Sequence, residues 1–349
     1  MSIRKSPNPC TERQKLSIVR HLSAAVRSIH FMEILMRPLV TVVMPVYNKE
    51  EYVSRAIQSV LDQTYPELEL LCVDDASKDG SMERVAEFDD PRFRVLRRTT
   101  SGPGGYAARN HGIRHAMGDW VTFLDADDSW FPEHLAQAMT MADEFVDIPM
   151  ICAARISQVG TKQSLDPFAE HFISQGPQIL TLSDYLKFAC RGWRAVGTNA
   201  VLLKRNVLFS YTVFPEGRTE RSGDLYAWVE LLARMQRMVW SPHIASISYR
   251  DAASVSVNAT PSIDLFREMV NDLGPYVSHK DEKWLKRYSN KMVKYAWLQK
   301  KKKRVALPLS LLPGSFYWAN DIPYCLKWTL ISLMPFGALE SMHRRFFAD

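Results

Sequence analysis

The chain has 349 residues, of which 46% are hydrophobic and 23% are charged, so its composition is that of a globular protein and not of a disordered one. The net charge of +6 and the pI near 9.0 suit phosphates, nucleotides or an anionic membrane, but they are too weak to indicate nucleic-acid binding. The five cysteines are scattered without a Cys-x-x-Cys pair, which argues against a zinc site or a disulfide framework and favours a reducing cytoplasm.

The first residues differ in pattern from the rest of the chain. Residues 12–36 predict one helix with an apolar face and basic side chains elsewhere around it. Three interpretations fit this segment: a basic amphipathic anchor for a membrane or partner, a packing helix, or an extension before a natural start at Met32 or Met36. We expect no secretory signal and no membrane-spanning helix, because no continuous apolar run of the required length is found.

Residues 39–124 alternate between predicted strands and predicted helices. The strands are expected at residues 39–47, 68–73, 93–96 and 121–124, and the helices between them begin near Val53, Met82 and Tyr106. This order predicts a parallel sheet with right-handed crossovers. In such a sheet, a ligand binds outside the carboxyl ends of the strands.

Polar residues follow three of these strands at that edge. Asn48 follows the first strand, Asp74 and Asp75 close the second, and Asp125–Asp128 follow the fourth. Three carboxylates in one place need a cation, and their oxygen atoms select Mg²⁺ or Mn²⁺, completed by the phosphates of a substrate. The alternative is that the last acids of this run cap a helix that begins near Trp130.

The second half of the chain contains shorter predicted elements. Helices are expected at residues 132–145 and 182–188 and from Asp224 onward, strands at 148–154, 198–203 and 239–249 (the last as one or two strands), and loops at 166–177 and 250–256. This part has no pattern that settles its topology from periodicity alone.

Residues 262–349 combine lysines with aromatic side chains and proline-broken apolar segments. A cationic block, Lys300–Arg304, precedes apolar segments at 307–312, 324–333 and 336–339. This composition favours docking on an anionic membrane face, where each cation contributes roughly 1 kcal/mol. The alternative is a solvated lysine run beside a helical cap for the core. Nucleic-acid binding is not expected, since no recognition helix or aromatic-stacking pattern accompanies the basic block.

Five blocks of sequence, in this order, resemble glycosyltransferase family 2. They are Val43–Asn48, Ser59–Tyr65, Val73–Gly80, Ala108–Ile113 and Phe123–Asp128. The resemblance is specific over residues 39–130 and looser to about residue 256. It implies an α/β GT-A fold with a Rossmann-like mixed sheet, here with helical N- and C-terminal extensions.

The resemblance also implies a division of the chain. Residues 1–37 are expected to form an N-terminal helical extension, and residues 38–260 the GT-A domain. Within that domain, residues 38–130 are the expected nucleotide-binding half and 131–260 the acceptor half. Residues 261–349 are the expected basic, apolar helical C-terminal region.

The family pattern assigns roles on the nucleoside side of the site. Asp74 matches the position that contacts the nucleobase, and its neighbour Asp75 is expected near the nucleoside. Pro45 and Tyr47 are expected to line the base pocket. Asn48, which ends the same strand, is assigned to the nucleotide-sugar site with them.

The pattern also assigns the diphosphate side. Asp125 and Asp127 match the Asp-x-Asp motif, with Asp127 as the expected direct ligand of Mn²⁺ or Mg²⁺, Asp125 on ribose or metal, and Ala126 in the nucleotide-sugar site. Arg109 either assists the phosphates or forms an ion pair with one of these acids. Arg250 resembles a residue of the loop that closes over the diphosphate, where it would pair with phosphate oxygens.

An inverting transfer also needs a base for the acceptor hydroxyl. Asp224, at the opening of a predicted helix, aligns with the catalytic acid of the family. Gly223 replaces the glutamate that usually precedes it, and Glu220 is close but at the wrong spacing. The alternative role for Asp224 is helix capping.

These observations predict a metal-dependent inverting hexosyl- or N-acetylhexosaminyltransferase. The expected donor is a UDP-sugar, with dTDP- and GDP-sugars as alternatives. The expected acceptor is a glycan or a lipid-linked molecule at the cytoplasmic face of the membrane, as in the synthesis of cell-surface polysaccharide. Two other classes of protein are alternatives. One is a catalytically silent nucleotide-sugar or glycan binder, favoured only by Gly223, and the other is a basic membrane adaptor.

Overall fold

The computed structural model of the protein describes residues 37–208, 212–250, 259–334 and 337. The predicted N-terminal helix lies outside the described residues. The same holds for residues 251–258, which make up most of the predicted loop after residue 249, and for all but residue 337 of the last apolar segment.

Four strands and the helices between them build the first half of the sheet. In chain order they are β1 (Val40–Val46), α1 (Val53–Leu61), β2 (Leu68–Asp74), α2 (Ser81–Val85), β3 (Phe93–Arg97), α3 (Tyr106–His115) and β4 (Trp120–Phe123). The strands lie in the order β3-β2-β1-β4 and all run parallel, so the predicted parallel arrangement is confirmed. Every residue of β2 is buried, as expected for a strand covered on both faces.

Helices cover both faces of these strands. Helix α1 buries Val53, Ile57 and Val60 at helical spacing against one face. Helix α3 packs on the other face, where Gly112 lies directly over β1. A Cβ atom at Gly112 would come within 2.3 Å of Val43 Cγ1, so only glycine permits this close approach.

The second half extends the sheet with strands of both directions. In chain order it contains β5 (Ser129–Trp130), α4 (His134–Glu144), β6 (Met150–Val159), β7 (Lys162–Leu165), α5 (Pro167–Phe172), β8 (Gln178–Thr181), α6 (Leu182–Cys190), β9 (Val201–Lys204), α7 (Asp224–Met235) and β10 (Arg237–Tyr249). The order continues β4-β9-β6-β10-β5, with β9 antiparallel to both of its neighbours and β6 parallel to β10. The sheet is therefore mixed.

Two local predictions in this half are wrong. Residues 166–177, expected as a loop, contain helix α5, because the Asp166 carboxylate accepts two backbone N–H groups of its first turn and Pro167 opens it. The strand expected from Thr198 begins only at Val201, since Thr198–Ala200 form a 3₁₀ turn. The segment expected as one or two strands is the single strand β10.

The described part of the C-terminal region contains four α-helices. They are α8 (Ile263–Leu273), α9 (His279–Lys302), α10 (Leu311–Gly314) and α11 (Ile322–Ser332). Tyr288 and Trp297 of α9 are fully buried in the same cluster as Leu186 of α6 and Trp228 of α7. The division of the chain at residue 260 stays a prediction. Within the described ranges, no helix combines the length and the apolar character needed to cross a membrane.

A pair of histidines, the buried His134 and the half-buried His243, connects α4 to β10. His134 Nδ1 lies 3.1 Å from His243 Nε2, and His243 Nδ1 lies 2.7 Å from Ser241 Oγ. Burial lowers the pKa of His243 from 6.5 to about 4. Burial also lowers the pKa of His134 well below its ordinary value, with the charge of His243 as the second cause. Both imidazoles are therefore neutral in the folded protein at neutral pH.

We expect the free energy of unfolding to fall as the pH drops below 6.5. The unfolded chain binds protons at its histidines near pH 6.5, whereas folded His243 binds one only near pH 4, so acid favours the unfolded state. This group alone contributes roughly 2–3 kcal/mol of stability at pH 7 that is lost toward pH 4. Urea unfolding of the native chain and of the matched variant His243→Gln across this pH range measures the loss of stability. An equal pH dependence of the unfolding free energy in both proteins would contradict the prediction.

Candidate active site

A cavity of about 410 Å³ opens at the carboxyl ends of the parallel strands. Seven of the residues assigned from the sequence line it: Pro45, Tyr47, Asp75, Arg109, Asp125, Ala126 and Asp127. The Gly-rich turn at 102–105, together with Lys49, Glu220 and Ala259, completes the lining. The structure thus brings together residues from three strand ends that are far apart in the sequence.

The acid cluster forms one wall of this cavity. Ligand oxygens of Asp125, Asp127 and Asp128 all lie within 4.8 Å of one another. Burial, followed by the charges of Asp125 and Asp127, raises the pKa of Asp128 to about 7. Three carboxylates held this closely resist being ionised together, and a divalent cation removes that cost. Oxygen donors at this spacing fit Mg²⁺ or Mn²⁺.

Two basic side chains balance the Asp-x-Asp pair in this structure. Lys49 Nζ lies 2.5 Å from Asp127 Oδ2. Arg109 forms an ion pair with Asp125 and also donates to the Gly104 carbonyl at 2.8 Å. The ion-pair alternative for Arg109 is therefore the arrangement seen here. Sequence reasoning missed Lys49, although it directly follows the strand end at Asn48.

Asp128 connects the acid run to Asn199 and to strand β10 through hydrogen bonds. Its carboxylate accepts hydrogen bonds from the Asn199 side chain and from the backbone N–H of Tyr249 at 2.9 Å. The Asn199 side chain in turn accepts from the Asp125 N–H at 2.9 Å. Asp128 is buried, whereas the side chains of Asp125 and Asp127 are 34% and 19% exposed. The motif acids are thus the ones that face the cavity.

The alternative in which these acids cap a helix near Trp130 is wrong. Ser129–Trp130 form strand β5, which pairs with β10, and the next helix begins only at His134. That helix has Glu133 as its N-terminal flanking residue, and the Glu133 side chain makes no capping hydrogen bond. The acid run therefore serves the cavity and not the helix.

The nucleoside side is shaped by hydrogen bonds at the ends of β1 and β2. The Asp75 carboxylate pairs with Arg98 and accepts the Gly102 N–H at 3.0 Å. Burial raises the pKa of Asp75, and these two contacts offset part of that effect. Asp74 is not among the residues that line the cavity; its carboxylate accepts the Ser77 N–H at 2.9 Å.

Asn48 is also not among the residues that line the cavity. It adopts a left-handed backbone conformation, with φ of 52°, which asparagine tolerates better than most residues. Its side-chain oxygen accepts the Lys78 N–H at 2.9 Å, and its own N–H lies 3.3 Å from Ser77 Oγ. Asn48 therefore ties the loop after β1 to the loop after β2.

Asp224 is the first residue of α7, directly after the flanking residue Gly223. Gly223, and not Asp224, occupies the flanking position, and the backbone N–H of Leu225 in the first turn interacts with the Asp224 carboxylate. Both the base role and the capping role of Asp224 stay predictions. Burial raises the pKa of Asp224, and the charges of Arg194 and Arg109 lower it by less. Asp224 is not among the residues that line the cavity, but its carboxylate interacts electrostatically with Asp125. A carboxyl group with a raised pKa is suited to accept a proton.

The glycine before Asp224 has a packing cause. A Cβ atom at Gly223 would lie 2.9 Å from Tyr106 Cζ and 2.8 Å from Pro215 Cγ. The Tyr106 hydroxyl accepts the Gly223 N–H at 2.8 Å. A side chain at this position would require Pro215, Thr219 or Tyr106 to shift, so a glycine fits the close approach of these residues.

Arg250 lies away from the cavity in this structure. Its N–H donates to the Gln158 carbonyl at 2.9 Å, and its Nη2 lies 3.5 Å from Ser157 Oγ. It is not among the residues that line the cavity, and the residues that follow it lie outside the described ranges. Its contact with phosphate stays a prediction.

Comparisons with known proteins agree with this geometry. Residues 41–201 match the family model described as Glycosyl transferase family 2. The chain is 32% identical over 197 residues, 56% of this chain and 70% of the relative, to the UDP-Glc:alpha-D-GlcNAc-diphosphoundecaprenol beta-1,3-glucosyltransferase WfgD of Escherichia coli.

Solved structures share the fold. The crystal structure of S. aureus TarS 1–349 in complex with UDP-GlcNAc superposes with a TM-score of 0.68 at 17% identity, covering 88% of this chain and 92% of TarS 1–349. The mannosyltransferase PcManGT from Pyrobaculum calidifontis, in complex with GDP-Man and Mn²⁺, gives 0.53 at 18% identity, covering 90% and 89%.

A mixed α/β sheet of this topology, with an acid cluster at its carboxyl edge, is a GT-A fold. The prediction of this fold from the sequence is confirmed. The chain belongs to glycosyltransferase family 2.

Proposed function

We propose that this glycosyltransferase transfers a hexosyl or N-acetylhexosaminyl group, with inversion and with a divalent metal, from a UDP-sugar to a hydroxyl group. The observation that carries the proposal is the convergence of Asp75, Asp125 and Asp127 on one cavity at the carboxyl edge of the sheet. TarS binds UDP-GlcNAc and WfgD is named for a UDP-Glc donor, which supports uridine as the nucleoside of the donor.

Each side of the cavity has a proposed part in donor binding. Pro45, Tyr47 and Asp75 surround the nucleoside, with Asp74 and Asn48 shaping the loops behind them. Asp127 and Asp125 hold Mn²⁺ or Mg²⁺, which when bound neutralises charge on the departing diphosphate. Arg109 and Lys49 exchange their carboxylate partners for phosphate oxygens when the donor enters.

Asp224 is the proposed base. The acceptor hydroxyl loses its proton as its oxygen attacks the anomeric carbon, and the bond from that carbon to the diphosphate breaks. The proton passes to the Asp224 carboxylate. The raised pKa of Asp224 makes the carboxylate a stronger base than an exposed aspartate, while it remains ionised above that pKa.

The proposed acceptor is a glycan or a lipid-linked molecule at the cytoplasmic face of the membrane. WfgD is named for an acceptor on diphosphoundecaprenol, which is a lipid carrier. The basic C-terminal helices supply the charge for peripheral contact with an anionic membrane. The proposed process is the synthesis of a cell-surface polysaccharide.

The catalytically silent alternative rests on Gly223, which stands where the family usually has a glutamate. Gly223 also has a packing contact with Tyr106. The intact acid cluster and the neighbouring Asp224 equally argue against a pure adaptor.

Calorimetric titration of the purified protein with UDP, in the presence and absence of Mn²⁺, tests the proposal. We expect binding that requires the metal, because the acids meet the diphosphate only through a cation. GDP and dTDP serve as matched competitors, and we expect at least tenfold weaker binding for both. Absence of UDP binding under every metal condition would overturn the uridine assignment. A panel of UDP-sugars, followed by nucleotide release, then identifies the sugar.

A further inference from the structure

Helix α11 carries an apolar stripe that faces solvent. Ile322, Leu326, Leu330 and Leu333 are 59%, 51%, 58% and 57% exposed. Their spacing of four, four and three residues places them along one side of the helix. The opposite side packs against the core through Cys325 and Ser332, which are buried. Large apolar side chains exposed in one continuous row mark an interaction surface.

Three lysines lie beside this helix. Lys327 belongs to α11 and is its only charged residue. Lys291 and Lys294 extend from α9, with their ammonium groups 3.9 Å from the Tyr324 ring centroid and 4.8 Å from the Trp328 ring centroid. We call Lys291, Lys294 and Lys327 the lysine cluster.

The lysine cluster lacks a balancing acid. Among the described residues, none of its three ammonium groups lies within 4 Å of a carboxylate, and the acid that precedes α11 is Asp321. Burial, followed by the charges of Lys291 and Lys327, lowers the pKa of Lys294 to about 8. An anion placed at this cluster would relieve the mutual repulsion of the three groups.

The cationic block recognised in the sequence has other contacts. Lys300 Nζ lies 3.3 Å from Thr260 Oγ1, and Lys303 Nζ lies 3.2 Å from the Ala259 carbonyl, beside the cavity. Lys301 Nζ lies over the Trp297 ring at 5.6 Å. Lys300 and Lys303 contact the chain next to the cavity, and Lys301 contacts Trp297. These three lysines are therefore not part of the surface formed by α11.

We propose that the apolar stripe of α11 and the lysine cluster form a docking surface for an anionic lipid membrane. The stripe enters the boundary between headgroups and acyl chains, and the lysine cluster meets lipid phosphates. The inference deepens the membrane contact of the proposed function and places it on specific residues.

Charge favours a membrane over a second copy of the chain as the occupant. A symmetric dimer through this face would bring the stripe of one protomer against that of the other. It would also bring two lysine clusters together with no carboxylate on α11 to balance them. An anionic bilayer supplies both the apolar phase and the opposite charge.

Sedimentation of the full chain with vesicles tests the inference. We expect binding to vesicles that contain phosphatidylglycerol and much weaker binding to phosphatidylcholine alone. The double variant Leu326→Glu/Leu330→Glu should reduce partitioning by about tenfold or more. The variant Lys291→Gln/Lys327→Gln should reduce it about tenfold on anionic vesicles only, since the charge contribution vanishes on neutral lipid.

The matched control is Val146→Glu/Val159→Glu, which replaces two equally exposed apolar residues elsewhere. Its partitioning should stay within about twofold of the native chain. Metal-dependent UDP binding should be unchanged in the α11 variants, which separates this inference from the donor site. The inference is overturned if the native chain ignores anionic vesicles or if the stripe variant sediments like it. A native dimer that the stripe variant dissociates would instead assign the face to self-association.

Discussion

Asp127→Ala is expected to abolish metal-dependent UDP binding and to lower kcat/KM for transfer by about 10³-fold or more. Asp127 is one of two motif acids that face the cavity, and its partner Asp125 is held by Arg109. Without Asp127, the remaining carboxylates cannot hold a cation between themselves and the diphosphate. Calorimetry with and without Mn²⁺, together with a transfer assay, measures both effects.

A residual, metal-independent affinity for UDP is expected in this variant. Lys49 loses its contact with Asp127 and still carries a positive charge at the wall of the cavity. The control is Asp62→Ala, which removes an exposed carboxylate at the end of α1 that contacts Gln58. Native metal dependence in Asp127→Ala would show that Asp127 is not a ligand.

Asp224→Asn is expected to lower kcat by about 10³-fold while UDP affinity stays within about twofold of the native value. The amide keeps the size of the side chain and cannot take a proton. In the native enzyme, kcat should decrease as the pH is lowered. The decrease should begin above the ordinary pKa range of aspartate, because burial raises the pKa of Asp224. The residual kcat of the variant should not show this decrease at low pH.

Glu220→Gln distinguishes the two acids near the acceptor side. Glu220 lines the cavity, and its carboxylate accepts the Thr260 N–H at 3.3 Å. If Glu220→Gln loses kcat by several orders of magnitude and Asp224→Asn does not, Glu220 is the base. A loss in UDP affinity that equals the loss in kcat for Asp224→Asn would assign Asp224 to donor binding instead.

The nucleotide-binding half was predictable because its signals are local. Three of its four strands are short apolar runs, and each of these three is followed closely by residues that line the cavity. The topology rule for parallel sheets then places Asp75, Asp125 and Asp127 at one edge. No contact between distant residues has to be known for this conclusion.

The remaining features depend on contacts between residues far apart in sequence. The Lys49 ion pair spans 78 positions, and the Asn199 bond to Asp128 spans 71, so neither has a local pattern. Helix α5 is a different case. Its signal, an aspartate before a proline, is present at Asp166, but the helix is only six residues long and has too few turns to show periodicity.

The contact between Tyr106 and Gly223 makes these two positions a size-matched pair. The tyrosine ring occupies the volume that any side chain at 223 would need, and its hydroxyl holds the backbone just before Asp224. Introducing the usual glutamate of the family at 223 therefore requires Tyr106, Pro215 and Thr219 all to shift or to be replaced by smaller residues. Because Tyr106 also opens helix α3 directly after the Gly-rich turn, that exchange would change the donor wall as well. A substitution at residue 223, next to the proposed base, is therefore coupled to residue 106, next to the donor side of the cavity.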